Sequence, residues 1–251
     1  MHIFPKAFWL PKRGNSDAEY EDAFWPIKSV DSKQSIFRFA VADGATETSF
    51  AAHWAQLLVR GYCKAKLSKE PMLRALAPLR ARWLAGIRDV SLPWYAEQKA
   101  SEGAYSSILG LTLLDGLSSG HNGRWNALSV GDSCMFQIRD EKLISSFPKS
   151  FSTDFNSRPA LLSSVAHLDQ DIPATELAHG DCQDGDTFYL MTDAIACWFL
   201  TDFEKSGQPW QIIRDLDTGG ERATFAEWIE KLRDTHEIRN DDVTMIRIEI
   251  I

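Results

Sequence analysis

Five acidic positions stand where short hydrophobic segments begin or end, and this arrangement narrows the folds open to the chain. Glu21-Asp22 opens the segment 22–30, DAFWPIKSV, and Asp43-Gly44 closes 36–43, IFRFAVAD. Gly131-Asp132-Ser133 separates 125–130, WNALSV, from 134–139, CMFQIR. Asp193 follows 187–192, TFYLMT, and Asp241-Asp242 leads into 243–250, VTMIRIEI. The segments are short, rich in β-branched and aromatic residues and bounded by turn formers, so each reads as a strand. DSKQ at 31–34 predicts a hairpin between the first two. A further strand is expected over 105–114, YSSILGLTLL, with SSGHNG and RDEK as the turns of that block. In the last strand Thr244, Ile246, Ile248 and Ile250 alternate, which predicts one buried face.

Helices fall between these blocks. Ala51, Trp54, Ala55 and Leu58 recur at helical spacing behind a cap at Thr46 or Thr48. Pro71 can start a second helix carrying Leu73, Leu76, Leu79, Trp83 and Ile87, with Pro78 as a point of kinking. Residues 194–203 and the set Phe225, Trp228, Ile229 and Leu232 predict two more. Residues 145–185 are polar and broken by Pro148, Pro159 and Pro173, and read mostly as loop with short elements. Strands and helices are segregated, so the expected fold is α+β, two antiparallel sheets covered by helices, and not a parallel βαβ winding. No linker or repeat interrupts the 251 residues, so a single domain over 1–251 is expected.

An aspartate at a strand end is ordinarily a turn former or a cap. Five at the ends of neighbouring strands would converge on one rim and repel one another unless a cation neutralised them. Oxygen ligands select hard cations, Mg²⁺ or Mn²⁺. The six histidines form no H-x-x-x-H pair and Cys63, Cys134, Cys182 and Cys197 form no C-x-x-C pair, so zinc is not expected. The cysteines read as reduced, buried thiols of a cytoplasmic protein. With a net charge of -8 and scattered Lys and Arg, no basic face for nucleic acid is expected. No apolar run is long enough for a bilayer, and no secretory leader is expected.

The motifs in their order resemble the type-2C metal-dependent protein phosphatases, the PPM family. That family carries an E-D-A element, a strand ending V-x-D-G, a G-D-S element, a strand ending T-D-G and a last strand opening D-[DN]-x-[ST]. This chain has Glu21-Asp22-Ala23, Val41-Ala42-Asp43-Gly44, Gly131-Asp132-Ser133, Thr192-Asp193 and Asp241-Asp242-Val243-Thr244. Gly185-Asp186-Thr187-Phe188-Tyr189-Leu190 is similar to the family's lead-in to its fourth element. Each motif alone is weak, and their order gives the resemblance its weight.

The resemblance implies a sandwich of two antiparallel sheets flanked by helices, with a metal pair in a cleft at one end. It implies Asp22, Asp43, Asp193 and Asp241 as catalytic and metal-binding carboxylates, the Gly44 carbonyl as a further ligand, Glu21 acting through water, and Asp132 helping to hold a third, weaker cation. Two Mg²⁺ or Mn²⁺ ions about 3.5–4 Å apart would share a water, lower its pKa from about 15.7 towards ~7 and direct it at phosphorus. The substrate would be a phosphoprotein, opposing a Ser/Thr kinase. The chain also departs from the family. Asp17 stands where an arginine is expected to hold the substrate phosphate, Ala194 replaces the glycine after the fourth-motif aspartate, and Ala45 stands where a His or Met is common. Lys12 and Arg13 lie nearby, and Arg13, with its planar fork, is the expected phosphate clamp. These departures leave a second reading, a catalytically weak or inactive module of this fold that binds a phosphoprotein or regulatory partner. A small-molecule phosphatase and a metal-dependent nuclease are the other enzyme classes compatible with the acids.

Overall fold

Successive hydrophobic segments pair side by side wherever a tight turn joins them, and that pairing builds the molecule. The computed structural model describes residues 1–26, 35–45, 50–64, 72–88, 102–116, 122–155, 158–166, 174–216 and 221–251. Along the chain these residues form β1 (Ile3–Leu10), β2 (Ala23–Trp25), β3 (Ile36–Ala42), α1 (Ala51–Cys63) and α2 (Met72–Arg88). Then come β4 (Tyr105–Ser106), β5 (Ile108–Leu114), β6 (Gly123–Val130), β7 (Cys134–Arg139), β8 (Lys142–Phe147), β9 (Leu162–Ser163), β10 (Glu176–Cys182) and β11 (Thr187–Met191). The last elements are α3 (Asp193–Glu204), α4 (Pro209–Asp215), α5 (Glu221–Asp234) and β12 (Val243–Ile250).

Two five-stranded sheets, ordered β1-β12-β11-β7-β8 and β10-β6-β5-β3-β2, are antiparallel throughout. Period-2 alternation gives each sheet two apolar faces. Phe37, Phe39, Val41, Leu109, Phe188 and Ile246 meet between the sheets. On the outer face of the first sheet, Phe136, Tyr189 and Met245 pack under Trp198, Phe199, Trp210 and Phe225 of α3, α4 and α5. On the outer face of the second, Ala40, Ala42 and Leu128 pack under Trp54 and Leu58 of α1 and Leu76 and Trp83 of α2. The α+β double-sheet architecture expected from the sequence is the one observed.

Several details differ from expectation. The final strand is buried on both faces, not one, because β12 lies between β1 and β11 and has helices over its outer side. The first hairpin strand is described only as Ala23–Trp25, and its turn at 31–34 lies outside the described residues, as do Thr46, Thr48 and Pro71. Helix α2 runs through Pro78. The expected strand 105–114 is interrupted at Ser107. The region 145–185, read as mostly loop, contributes the end of β8, β9 and all of β10, and β1 was not expected at all.

Candidate metal centre

Each acidic motif sits where its strand leaves or enters a sheet, and the topology brings those ends to one rim. Asp22 immediately precedes β2 and Asp43 follows β3, both in the second sheet. Asp193 begins α3 directly after β11, and Asp241 lies just ahead of β12, both in the first sheet. The turn at Asp132 carries the chain from β6 of one sheet to β7 of the other. That turn requires Gly131, whose φ is +111° and where a Cβ would lie 2.6 Å from the Ser107 side chain.

Carboxylate oxygens of Asp43, Asp132 and Asp193 lie within 4.8 Å of one another. Ser107 ties two of the contributing segments together. Its backbone N–H donates to the Asp43 carbonyl at 2.9 Å, its Oγ accepts from the Asp43 N–H at 3.1 Å, and it pairs with Ser133 Oγ at 2.9 Å. Asp22 is clamped from the opposite sheet. Thr244 Oγ1 donates to its Oδ2 at 2.6 Å and Thr192 Oγ1 at 3.0 Å. The Tyr20 hydroxyl bonds in turn to Thr244 Oγ1. Asp242 fixes the neighbouring segment, with its two oxygens accepting from the backbone N–H groups of Lys12 at 2.8 Å and Glu21 at 2.7 Å. The sequence motifs contained Thr192, Thr244 and Asp242, but their positioning contacts emerge only from the cross-sheet geometry.

The electrostatics follow from crowding and burial. Asp43 is pushed up to about 8, first by burial and then by Asp241 and Asp132, with Arg239 opposing. Asp22 is raised well above its ordinary value by burial and then by Asp43, against the two threonine hydrogen bonds. Asp132 is raised by burial, with Arg239 pulling the other way. Asp22 Oδ1 and Asp132 Oδ1 are buried without a hydrogen-bond partner among the described residues. An all-oxygen donor set with buried, unpartnered carboxylate oxygens fits hard divalent cations. Gly44 belongs to the same rim, and a Cβ there would lie 2.6 Å from the Glu21 carbonyl oxygen, so the backbones of the first two motifs touch. Glu21 has Lys12 Nζ at 3.9 Å from its carboxylate.

Arg13 does not join this group. Its Nε donates to Glu230 at 2.5 Å and its Nη2 to Asp234 at 2.7 Å, so the guanidinium lies along α5. Asp17 carries two contacts from Arg222, at 2.8 and 2.7 Å. The cation on the acids is one that sequence reasoning missed. Arg239 bonds to Asp193 through Nη2 and places Nε 3.2 Å from Asp241. Its signal in the sequence was slight, an arginine two residues ahead of the last motif.

A helix-flanked double sheet with carboxylates gathered at one rim agrees with the phosphatase class, which the sequence itself establishes. The chain belongs to the protein phosphatase 2C family, whose sequence profile matches residues 13–236, and it is a hydrolase of the PPM type. Three solved structures illustrate the fold. The serine/threonine phosphatase PstP/Ppp of Mycobacterium tuberculosis is 16% identical with a TM-score of 0.58, covering 99% of this chain and 98% of that one. The catalytic domain of PstP in complex with 2 manganese ions is 17% identical with a TM-score of 0.55, and both chains are covered fully, 100% and 100%. PppA, a regulatory component of T6SS in Pseudomonas aeruginosa, is 16% identical with a TM-score of 0.54, covering 100% and 99%. At such identities the likeness is one of fold. No curated protein matches the sequence. Among the described residues no helix is long and apolar enough to cross a membrane.

Proposed function

We propose that this chain is a protein serine/threonine phosphatase that hydrolyses phosphate monoesters with water activated between two divalent cations. The observation that carries this reading is the convergence of Asp43, Asp132 and Asp193 to within 4.8 Å at the rim between the sheets. In this reading Asp22, Asp43, Asp193, Asp241 and the Gly44 carbonyl hold two Mg²⁺ or Mn²⁺ ions, Asp132 helps to hold a third, weaker one, and Glu21 acts through water. Bound there, the ions would lower the pKa of a water and offset the charge developing on the phosphoryl oxygens.

The chain's own residues supply preorganisation. Thr192 and Thr244 fix the rotamer of Asp22 from the facing sheet. Asp242 pins the backbone at Glu21 against β12, which keeps the first motif in register with the last. Asp193 stands in the first turn of a 12-residue helix, where the helix dipole favours its negative charge. Arg139 and Gln137 close a separate buried set around Asp186, at 2.7 and 2.8 Å, which leaves that acid a structural role.

The substrate we assign is a phosphoprotein, opposing a Ser/Thr kinase in the cytoplasm. Hydrolysis of an aryl phosphate and of a phosphothreonine peptide, each with and without Mn²⁺ after exhaustive chelation, tests the reading. Metal-restored turnover on both is expected. Full turnover in chelator would contradict it, and binding of the phosphopeptide without turnover would favour the non-enzymatic module.

A further inference from the structure

In this chain the position at which an arginine is expected to grip the substrate phosphate is occupied by Asp17, and the nearby Arg13 is engaged elsewhere. Asp17 is exposed and paired with Arg222, whose guanidinium lies over the Trp9 ring at 4.1 Å from its centroid. The Arg13 guanidinium is shared between Glu230 and Asp234. A phosphate dianion at the acid rim is repelled by the carboxylates around it, so a cation on the protein side would strengthen its binding beyond what the metals supply.

Arg239 is placed to be that partner. It lies in the segment between α5 and β12, with its guanidinium on Asp193 and Asp241, and its side chain is 51% exposed. The backbone around it is fastened from two sides. Asn240 exchanges hydrogen bonds with the Arg13 backbone, at 2.7 and 3.2 Å, and Arg233 donates to the Asp241 carbonyl at 2.6 Å. The backbone is therefore held at the rim, while about half of the Arg239 side-chain surface stays open to solvent. Divalent cations and Arg239 compete for the same two carboxylates. With cations on those carboxylates, the guanidinium would be released to meet a phosphoryl group seated on the rim. Its planar fork matches two phosphoryl oxygens. Two lysines also act on rim acids, Lys12 with its ammonium beside Glu21 and Lys149 on Asp132, but each offers a point charge only.

We propose that Arg239 is the residue that binds the substrate's phosphoryl oxygens, taking from the C-terminal side of the site the task that Asp17 cannot perform. This rests on the phosphatase reading above. The test compares the wild-type chain with Arg239→Ala, Arg239→Lys and Lys12→Ala. Calorimetry measures Mg²⁺ affinity without substrate and then inorganic phosphate affinity of the Mg²⁺-loaded protein, and phenyl phosphate hydrolysis gives KM and kcat. Arg239→Ala should weaken phosphate binding about tenfold, roughly 1.4 kcal/mol. KM should rise by a similar factor, while Mg²⁺ affinity is unchanged or tighter. Arg239→Lys should fall between. Phosphate affinity within about twofold of wild type would overturn the proposal. So would weakened Mg²⁺ affinity in Arg239→Ala, which would make the arginine a support of the metal site, or a phosphate-affinity loss carried by Lys12→Ala alone. Absence of wild-type turnover would count against the phosphatase reading, and the phosphate titration would still decide the role of Arg239.

Discussion

Replacing Thr244 by valine removes one hydroxyl from the junction of the two sheets and leaves the volume nearly unchanged. The position is fully buried in β12. The hydroxyl donates to Asp22 Oδ2 at 2.6 Å and bonds to the Tyr20 hydroxyl. Asp22 keeps only the 3.0 Å bond from Thr192, because its Oδ1 has no partner among the described residues. A hydrogen bond to a buried carboxylate contributes roughly 1.5–3 kcal/mol, and an ordinary neutral one about 1. Loss of both gives an expected cost of about 3 kcal/mol. At about 2–4 °C per kcal/mol for a domain of this size, the melting temperature of the metal-free chain should fall by about 6–12 °C. The cleaner assay is a double-mutant cycle with Asp22→Asn, read by urea unfolding. The two changes share one hydrogen bond, so they should be non-additive by about 1 kcal/mol or more. Turnover should also drop, since Asp22 loses its fixed rotamer. Additive effects, or a Thr244→Val chain within about 0.5 kcal/mol of wild type, would refute the claim that this threonine holds the aspartate.

Asp43→Asn and Asp193→Asn should each abolish metal-dependent turnover while the far-ultraviolet circular dichroism stays that of the wild type. Metal-free Asp43→Asn should also melt higher than wild type, because it removes the cost of burying an ionisable carboxyl, and of holding it beside Asp241 and Asp132. The Asp43 carboxyl is raised from 3.8 to about 8 in the folded chain. The folded state therefore binds the extra proton between those values, and metal-free stability should fall as pH rises from about 4 to 8. The Asn variant should lack that component, and equal pH slopes in the two proteins would argue against a raised Asp43 carboxyl. Gly44→Ala forces a Cβ to 2.6 Å from the Glu21 carbonyl, so it should cost about 1–3 kcal/mol in thermal unfolding and most of the activity. Arg13→Ala should leave KM for a phosphopeptide within about twofold of wild type and leave the melting temperature nearly unchanged, because its ion pairs are exposed. A large rise in KM would restore Arg13 as the clamp.

What could be read from the sequence follows where the strands lie in the sheets. Central strands β3, β5, β6, β7, β11 and β12 carry long apolar runs and were visible. Of the strands missed or blurred, β1, β8 and β10 are edges of the large sheets, and β9 is a two-residue strand of a small separate pair. Edge strands tolerate polar residues and proline, as with Pro5 in β1 and the exposed ELAHGDC pattern of β10, which erases the alternation. The turn at Asp140-Glu141 was legible and takes positive φ at both residues, as a two-residue hairpin does. At the site, the acids were legible because each lies at the end of a strand with a strong signal. The cations were not. Whether an arginine reaches the rim depends on how a loop is fastened, and sequence proximity favoured Arg13 although its guanidinium is held by α5. Arg239 is brought in by the Asn240 and Arg233 contacts, which join residues hundreds of positions apart in one case and eight in the other.

In the proposed reading the rim carboxylates hold the divalent cations on which phosphate-ester hydrolysis depends. Its most direct test is a Mn²⁺ titration of the metal-free chain by calorimetry, run beside the rate of phosphothreonine-peptide hydrolysis at each metal concentration, for wild type and Asp43→Asn. Two ions should bind per wild-type chain, with turnover rising as they bind, and the variant should lose both binding and turnover. Turnover that is already complete in chelator, or Mn²⁺ binding and activity that survive intact in Asp43→Asn, would contradict that reading.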